Sequence, residues 1–365
     1  MKKLVALLLV LVMVLSLAAC GNKSQGEKLK VGVFYYTYDD AYMSSVRANI
    51  DKELQALGVE FSNYDCQNDQ AKQNDLISTA ITNGCNLLVV NLVNSGNADA
   101  AKKVMDLADG LPVLFINRAV EGTENEGQVL NAYKNIGFIG TDAPEAGHLQ
   151  GKMIAEYLLA NYDKYDLNGD GKISYALMKG DEGNVEAIYR TQYGVEDANA
   201  GLAAANKPAL EYFSPNATTK YQVDQAGVWS TKAALDYMQT NLAEYNEVNG
   251  NMIELVICNN DGMAVGVVQA LNAAGYNNGT GKTIPVFGVD ATDDAKALIG
   301  QGKMAGTVKQ DAEGMAKAVA QTIKALSEGK SMVDALAAAA ATGDNFSIAS
   351  AVSAKLYVAY APYTG

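Results

Sequence analysis

The chain has 365 residues, more than a single hydrophobic core usually organises, so we expect the mature protein to form two lobes. Hydrophobic residues make up 49% and charged residues 19%, a composition that excludes a disordered, collagen-like or polytopic membrane protein. The 41 acidic residues exceed the 28 basic ones, and the net charge of −13 disfavours nucleic acid and anionic lipid surfaces as partners.

The first 19 residues have the pattern of an export signal. Two lysines follow the initiator methionine, and the apolar run 4–19 is shorter than the roughly 20 residues of a membrane-spanning helix. The run ends in Leu-Ala-Ala before Cys20 and resembles the lipobox of bacterial lipoproteins, in which the cysteine thiol receives a diacylglycerol. We predict a lipid anchor at Cys20, a polar tether over 20–28, and a protein held on the extracytoplasmic face of the cell membrane. A plain signal peptide with an incidental cysteine is the alternative.

Three further cysteines, Cys66, Cys85 and Cys258, are an odd number and cannot form a complete disulfide framework. Cys85 and Cys258 lie in or beside apolar strand-like runs, which predicts small buried side chains. Cys66 follows a predicted strand, where it could be exposed. A Cys66–Cys85 bridge has no support from the spacing.

From residue 29 onward, β-branched or aromatic runs alternate with amphipathic stretches. The first series predicts strands at 29–36, 59–65, 86–93 and 112–117, and helices over 39–57, 71–83 and 98–108. The second predicts strands at 136–142, 173–180, 210–215, 253–260 and 284–290, with helices over 145–162 and from 186, 224 and 263. Such alternation indicates right-handed βαβ units, hence an α/β protein with two doubly wound parallel-sheet lobes. A last strand-like run, 355–363, lies far from its expected partners and indicates that the chain passes between the lobes more than once.

Polar side chains stand where several of these strands end. Because ligands of parallel sheets bind beyond the carboxyl ends of the strands, these side chains should line a cleft between the lobes. Their carboxylates and amides can each bond two neighbouring hydroxyls, as sugar recognition requires. The alternative is a helix-capping role, which Asp39 fits well. The residues concerned are Tyr36, Asp40, Asn117, Asn260, Asp290 and Gln310.

The single tryptophan, Trp229, lies near a predicted helix start. It is interpreted either as a core residue or as an aromatic platform for the apolar face of a pyranose. Both interpretations stay open at the level of the sequence.

A loop in the second series, before the strand predicted at 173–180, matches the first nine positions of an EF-hand calcium loop. Oxygen-bearing side chains occupy positions 1, 3, 5 and 9, a glycine position 6 and an apolar residue position 8. Position 12 is Leu177 in place of the bidentate glutamate, and a strand follows where an EF-hand has its second helix. A metal-free turn is the alternative. The oxygen-bearing residues are Asp166, Asn168, Asp170 and Ser174.

Together these features resemble the bacterial galactose/glucose-binding proteins of ABC sugar uptake, from about residue 28 to the C-terminus. The matching stretches are YDDAYMSSVR, SNYDCQNDQAKQND, DLNGDGKI, ELVICNNDGMAVG, IPVFGVD and GTVKQDA. The resemblance implies a type I periplasmic-binding-protein fold, whose two lobes are joined by a three-strand hinge and close over one hexose. It places 29–140 plus about 311–350 in the first lobe, and 141–310 plus about 351–365 in the second.

The resemblance also implies individual site residues. In the first lobe Tyr36, Asp40 and Asn117 match sugar contacts, and Tyr42 stands in the place of a stacking phenylalanine. In the second lobe the implied contacts are Asn184, Glu186, Arg190, Trp229, Asn260, Asp290 and Gln310. Three of these, Asn184, Glu186 and Gln310, replace the family's His, Asp and Asn, and two of them are one methylene longer, which can select between epimers. A structural Ca²⁺ would be held by Asp166, Asn168, Asp170, the backbone carbonyl of Lys172, Ser174 and Glu254.

The function implied is that of a monomeric lipoprotein without enzymatic activity. It captures a monosaccharide, galactose or glucose in preference to another hexose or a pentose, and delivers it to an ABC permease and also to a chemoreceptor or sensor kinase. A glycosidase using Asp40 and Asp290 is disfavoured because Arg190 would oppose the raised carboxyl pKa that such an enzyme needs. The single histidine, His148, further disfavours a catalytic triad. A dockerin-like calcium module is disfavoured because the loop occurs once.

Overall fold

The computed structural model describes residues 29–365, so the predicted signal segment, Cys20 and the tether lie outside the described residues. Over this range the protein is α/β, with two seven-stranded sheets that each carry their own hydrophobic core. No helix between residues 29 and 365 is both long and apolar enough to cross a bilayer.

The first lobe begins with five parallel strands and three helices. Strands β3 and β4 are buried at every position, because parallel strands are covered on both faces. Helix α1 ends at Gly58, whose φ of 67° is the left-handed conformation that glycine tolerates best. The elements are β1 (Lys30–Tyr35), α1 (Ala41–Leu57), β2 (Glu60–Asp65), α2 (Gln70–Thr82), β3 (Leu87–Val90), α3 (Ala98–Ala108), β4 (Val113–Ile116), a 3₁₀ turn (Thr123–Asn125) and β5 (Ile136–Gly140).

The second lobe continues with the same alternation. Its strands β9 and β10 are again fully buried, and β6, β9, β10 and β11 pair in parallel. The elements are α4 (Ala143–Ala160), α5 (Tyr162–Tyr165), β6 (Ser174–Lys179), α6 (Val185–Ala204), β7 (Glu211–Tyr212), β8 (Gln222–Val223), α7 (Thr231–Glu244), β9 (Leu255–Cys258), α8 (Asp261–Ala273), β10 (Val286–Asp290), α9 (Asp293–Gly300) and β11 (Gly306–Lys309).

The chain then returns to the first lobe before ending in the second. The final elements are α10 (Ala312–Ser327), α11 (Met332–Ala340), β12 (Phe346–Ile348), β13 (Lys355–Val358) and β14 (Ala361–Tyr363). The strand order is β12-β13-β5-β4-β3-β1-β2 in the first sheet and β14-β11-β10-β9-β6-β7 in the second, where β8 also pairs with β6. The lobes are therefore joined by three crossings, at 141–142, 310–311 and 359–360.

The predicted boundary at about residue 350, between the first lobe and the last segment of the second, is too early in the chain. Residues 355–358 form β13, which pairs in parallel with β5 of the first sheet, with Lys355 opposite Phe138. Leu356 and Val358 are fully buried in the first core, so only the segment from about 359 belongs with the second lobe. The strand predicted at 210–215 is also shorter than expected, since β7 has two residues.

All three cysteines of the described chain are free and buried. This confirms the prediction for Cys85 and Cys258 and corrects the one for Cys66, which is 0% exposed. Cys66 follows β2 directly and points inward, where the side-chain amide of Gln73 donates to its sulfur at 3.4 Å.

Candidate functional site

A cavity with an empty volume of about 370 Å³ lies between the lobes, where strands of both sheets end. Its lining contains every residue that the sequence analysis proposed for ligand contact. Met43 and Arg118 line it as well and were not predicted. The predicted residues in the lining are Tyr36, Asp40, Tyr42, Asn117, Asn184, Glu186, Arg190, Trp229, Asn260, Asp290 and Gln310.

Unusual backbone conformations aim several of these side chains. Asn117 and Trp229 have φ of 59°, and Asp290 has φ of 126° directly at the end of β10. A positive φ costs a non-glycine residue on the order of 1–3 kcal/mol and is found mainly where function requires it. Three such residues around one cavity indicate that the surrounding structure holds the lining in place for a ligand.

A helix cap uses only one end of a carboxylate or amide side chain. The other end remains for contacts in the cavity. Asp40 caps α1 through Oδ1, which accepts from the Met43 N–H at 2.8 Å, while its Oδ2 accepts from the Tyr36 hydroxyl at 2.6 Å. Asn260 caps α8 through its carbonyl oxygen at 2.9 Å, which leaves its NH₂ group for the cavity. The cap of α1 is thus Asp40, and the prediction for Asp39 is wrong, since Asp39 is exposed one residue before the cap.

Asn184 and Glu186 enter the cavity from the N-terminus of α6. Asn184 caps this helix, with its carbonyl oxygen accepting from the Ala187 N–H at 3.0 Å. Glu186 and Arg190 are four residues apart and therefore share a helix face.

Arg190 is held rigidly at the centre of the site. Its Nη1 donates to the Asn259 carbonyl at 2.8 Å, and its Nη2 donates to Gln310 Oε1 at 3.0 Å and to the Tyr360 hydroxyl at 2.9 Å. Its Cζ lies 5.6 Å from the Trp229 ring centroid. Tyr360, which fixes this arrangement from the third crossing, was not predicted.

Five polar atoms of the lining have no hydrogen-bond partner within the described residues. Each belongs to a side chain that is more than nine-tenths buried, and leaving such a group unsatisfied costs about 1–3 kcal/mol. They include both donors and acceptors, a combination that a polyhydroxylated ligand can satisfy. The atoms are Tyr42 Oη, Arg118 Nε, Glu186 Oε2, Arg190 Nε and Gln310 Nε2.

The two acidic groups beside Arg190 are strongly buried. Burial raises the pKa of Asp290, and the neighbouring Arg190 partly offsets this. The pKa of Glu186 is likewise raised by burial and opposed by Arg190. Burial and the Arg190 guanidinium therefore act in opposite directions on both carboxyl groups.

Contacts also bridge the mouth of the cleft. Arg118 of the first lobe donates to Asp181 of the second at 3.1 Å, and its guanidinium lies 4.1 Å from the Tyr36 ring centroid. Asn68 donates to the Ala226 carbonyl at 3.1 Å. Trp229 closes the second-lobe side, with its indole packed directly on Gly180.

The calcium-like loop lies elsewhere, between α5 and β6. As the resemblance implied, Glu254 reaches this loop: its Oε1 accepts from the N–H groups of Leu167 at 2.6 Å and Asn168 at 3.1 Å. Its Oε2 accepts from the Ser174 N–H at 2.9 Å, and the Ser174 hydroxyl donates to the Met252 carbonyl. In the described part of the chain, no group of three or more His, Cys, Asp or Glu residues is arranged to hold a metal ion.

Two α/β lobes, three crossings and a buried polar cavity between them define a protein that encloses a small hydroxyl-rich ligand. Residues 31–331 match the family model of the periplasmic binding protein domain. The chain belongs to this family.

Two relatives and one solved structure are similar to this chain over most of its length. The D-galactose/methyl-galactoside binding periplasmic protein MglB of Haemophilus influenzae is 35% identical over 308 residues, covering 84% of this chain and 83% of that protein. The ribose import binding protein of Bacillus subtilis is 26% identical over 351 residues, 93% and 97% of the two chains. An ABC transporter solute binding protein from Clostridium phytofermentans with bound β-D-glucose has the same fold, with a TM-score of 0.68, 21% identity and coverage of 92% and 94%.

The chain is therefore a sugar-binding protein of the periplasmic binding protein family and acts outside the cytoplasm. Its family binds sugars for transport and does not transform them, so the glycosidase alternative is set aside.

Proposed function

We propose that the sugar is galactose or glucose and that the eleven predicted lining residues hold it. The proposal is supported by the Haemophilus influenzae relative, whose name specifies D-galactose and methyl-galactoside, at 35% identity. The observation that carries it is the set of unpartnered buried donors and acceptors around Arg190. A hexose offers hydroxyls that both accept from Arg190 and Gln310 and donate to Glu186 and Asp290. Trp229 and Tyr42 are assigned to the two faces of the ring.

Calorimetric titration of the mature protein with galactose, glucose, ribose and myo-inositol tests this assignment. We expect galactose or glucose to bind most tightly. The substitution Asp290→Ala should weaken that binding at least about tenfold, because it leaves sugar hydroxyls without their carboxylate acceptor at a cost of about 1–3 kcal/mol. Asp163→Ala, on an exposed aspartate far from the cavity, serves as the control. Tightest binding of ribose or myo-inositol, or unchanged affinity in Asp290→Ala, would contradict the proposal.

We also propose that Cys20 carries a lipid and anchors the protein to the outer face of the cell membrane. The lipobox-like sequence before Cys20 supports this. In cells fed a labelled fatty acid, the full-length protein should incorporate label and sediment with membranes, while Cys20→Ser should do neither. Ser24→Ala in the tether is the control. Label retained by Cys20→Ser would refute the anchor.

A chemoreceptor or sensor kinase is proposed as a second partner of the sugar-bound form, beside the permease. When the lobes meet, as through Arg118 and Asp181, surfaces of both lobes become one face that a receptor can recognise. In cells lacking the permease, sugar should still produce a crosslink between this protein and a membrane receptor. No sugar-dependent crosslink in such cells would count against the second partner.

Finally, we propose that the loop at 166–174 together with Glu254 binds one structural Ca²⁺. The carboxylates of Asp166, Asp170 and Glu254 all accept from backbone N–H groups of this one loop, which supports the proposal because oxygen ligands of this kind suit Ca²⁺. The ligands would be Asp166, Asn168, Asp170, the Lys172 carbonyl and Glu254, with Ser174 acting through a water because its hydroxyl is bonded to Met252. Glu254 would exchange some of its backbone hydrogen bonds for the ion.

The calcium proposal is tested by the rise in melting temperature on adding Ca²⁺ to chelator-treated protein. Glu254→Gln should abolish this rise, whereas Glu244→Gln, on the exposed end of α7, should retain it. The rise is compared within each variant, because Glu254 also accepts backbone N–H groups and its loss destabilises the loop by itself. A melting temperature independent of Ca²⁺ in the unmutated protein would reduce the loop to a metal-free turn.

A further inference from the structure

A second cavity, with an empty volume of about 590 Å³, lies beside the first on the side of the lobe crossings. It is formed by the segment after β4, the start of α4, the start of α6 and strand β13. Glu186 lines both cavities, and the chain neighbours Asn184 and Val185 line one each. The two cavities are therefore adjacent and meet at the Glu186 side chain.

The lining of this hinge-side cavity combines aromatic rings with hydrogen-bonding groups. Phe138, Tyr189 and Tyr357 contribute rings, and Thr141 and Lys355 contribute polar atoms. Flat aromatic surfaces bind the C–H faces of a sugar ring, while hydroxyl and charged groups bind its hydroxyls. The mixture is unsuited to a purely apolar ligand.

Lys355 is the central polar group of the cavity. Its side chain is 16% exposed, and its Nζ donates to Glu126 Oε1 at 2.8 Å. The same Nζ lies 5.5 Å from the Phe138 ring centroid and 5.1 Å from that of Tyr357. The Lys355 ammonium, the Glu126 carboxylate and the two rings therefore offer a donor, an acceptor and aromatic surface at one cavity.

Glu186 gives the two cavities a common contact. Its Oε2 has no hydrogen-bond partner within the described residues although the side chain is 5% exposed. A ligand that spans both cavities would pass this oxygen, and a ring hydroxyl beside its linkage would supply the missing donor.

We propose that the protein accepts a saccharide of two units, with one ring in the inter-lobe cavity and the second ring in the hinge-side cavity beside Lys355. The inference rests on the proposed function, because the first ring occupies the monosaccharide site. It extends that function from a single hexose to a short saccharide whose linkage passes Glu186.

The experiment compares affinities for galactose and glucose with those for lactose, melibiose, maltose and cellobiose by calorimetry, with phenyl galactoside as an apolar comparison. Thr123→Trp places a bulky ring in the hinge-side cavity, and Tyr357→Ala removes one of its aromatic surfaces. Each should lower the affinity for the bound disaccharide about tenfold while changing monosaccharide affinity less than about twofold. Thr280→Trp, in an exposed loop outside both cavities, is the control.

Binding of at least one disaccharide with that selective loss supports the inference. Monosaccharide binding without any disaccharide binding overturns it and leaves the proposed function intact. Equal losses for both ligand classes, or phenyl galactoside binding more tightly than every disaccharide, also overturn it. If no sugar binds at all, the proposed function itself fails.

Discussion

Gly180 lies directly beneath the indole of Trp229, and an added methyl group at this position would push the ring. A Cβ at Gly180 would lie 2.0 Å from Cδ2 and 2.1 Å from Cε3 of Trp229, whereas ordinary van der Waals contact begins at 3.4 Å. In Gly180→Ala the indole must retreat by 3.4 − 2.0 = 1.4 Å at Cδ2 and by 3.4 − 2.1 = 1.3 Å at Cε3. The space available to it is the sugar cavity itself.

The cost of such overpacking is about 1–3 kcal/mol, which corresponds to a loss of sugar affinity of about 5- to 150-fold if it falls on binding. We expect the cost to fall on sugar binding and not on folding, because the ring can move into the cavity of the sugar-free protein without disturbing the core. Calorimetry gives the affinity, and the emission of the single tryptophan reports the moved ring. Gly183→Ala is the matched control, since a Cβ there meets nothing within 4 Å and neither glycine has a positive φ. Affinity and emission of Gly180→Ala equal to those of the control would refute the reasoning.

Three further predictions concern a buried carboxyl group, an arginine in the cavity lining and the buried cysteines. Burial raises the pKa of Asp261 to about 7, against about 4 in the unfolded chain, so this group's contribution to the unfolding free energy falls as pH rises from about 4 to 7. Asp261→Asn should flatten that fall in urea titrations, and an unchanged pH profile would contradict it. Arg118→Ala should weaken sugar binding about tenfold, because it removes the stacking on Tyr36 and the ion pair with Asp181. Arg47 stacks on Tyr38 outside the cavity, so Arg47→Ala should leave sugar binding unchanged. In a Cys20→Ser protein, a thiol reagent should label none of the three buried cysteines in the native state and all three in urea, so labelling without denaturant would contradict their burial.

Much of the fold and site follows from the sequence because parallel strands bring their carboxyl ends to one edge. This regularity, together with the family resemblance, predicted that Asn117, Asn260 and Asp290 line one cavity, as they do. Arg118 was adjacent to a predicted residue and was missed, because its role depends on Tyr36 and Asp181, which lie far away in the chain. No local pattern marks such a contact.

The C-terminal segment shows more clearly what a local sequence pattern cannot predict. The run 355–363 has the composition of one strand, yet residues on its two sides pair with different sheets. Tyr360 lies between them and reaches Arg190 because the chain changes lobes there. Local propensity cannot encode which sheet a strand joins, since that is decided by the edges that the rest of the chain leaves open.

The late return of the chain to its first sheet also determines the order in which the protein can be assembled. Strand β13 covers the edge of β5, and Leu356 and Val358 complete a core whose first strand begins at Lys30. A polypeptide that emerges from the ribosome N-terminus first cannot close this core until β13 has been synthesised. The first lobe therefore stays incomplete until most of the second lobe has been synthesised, which ties the folding of both lobes to the late part of the chain.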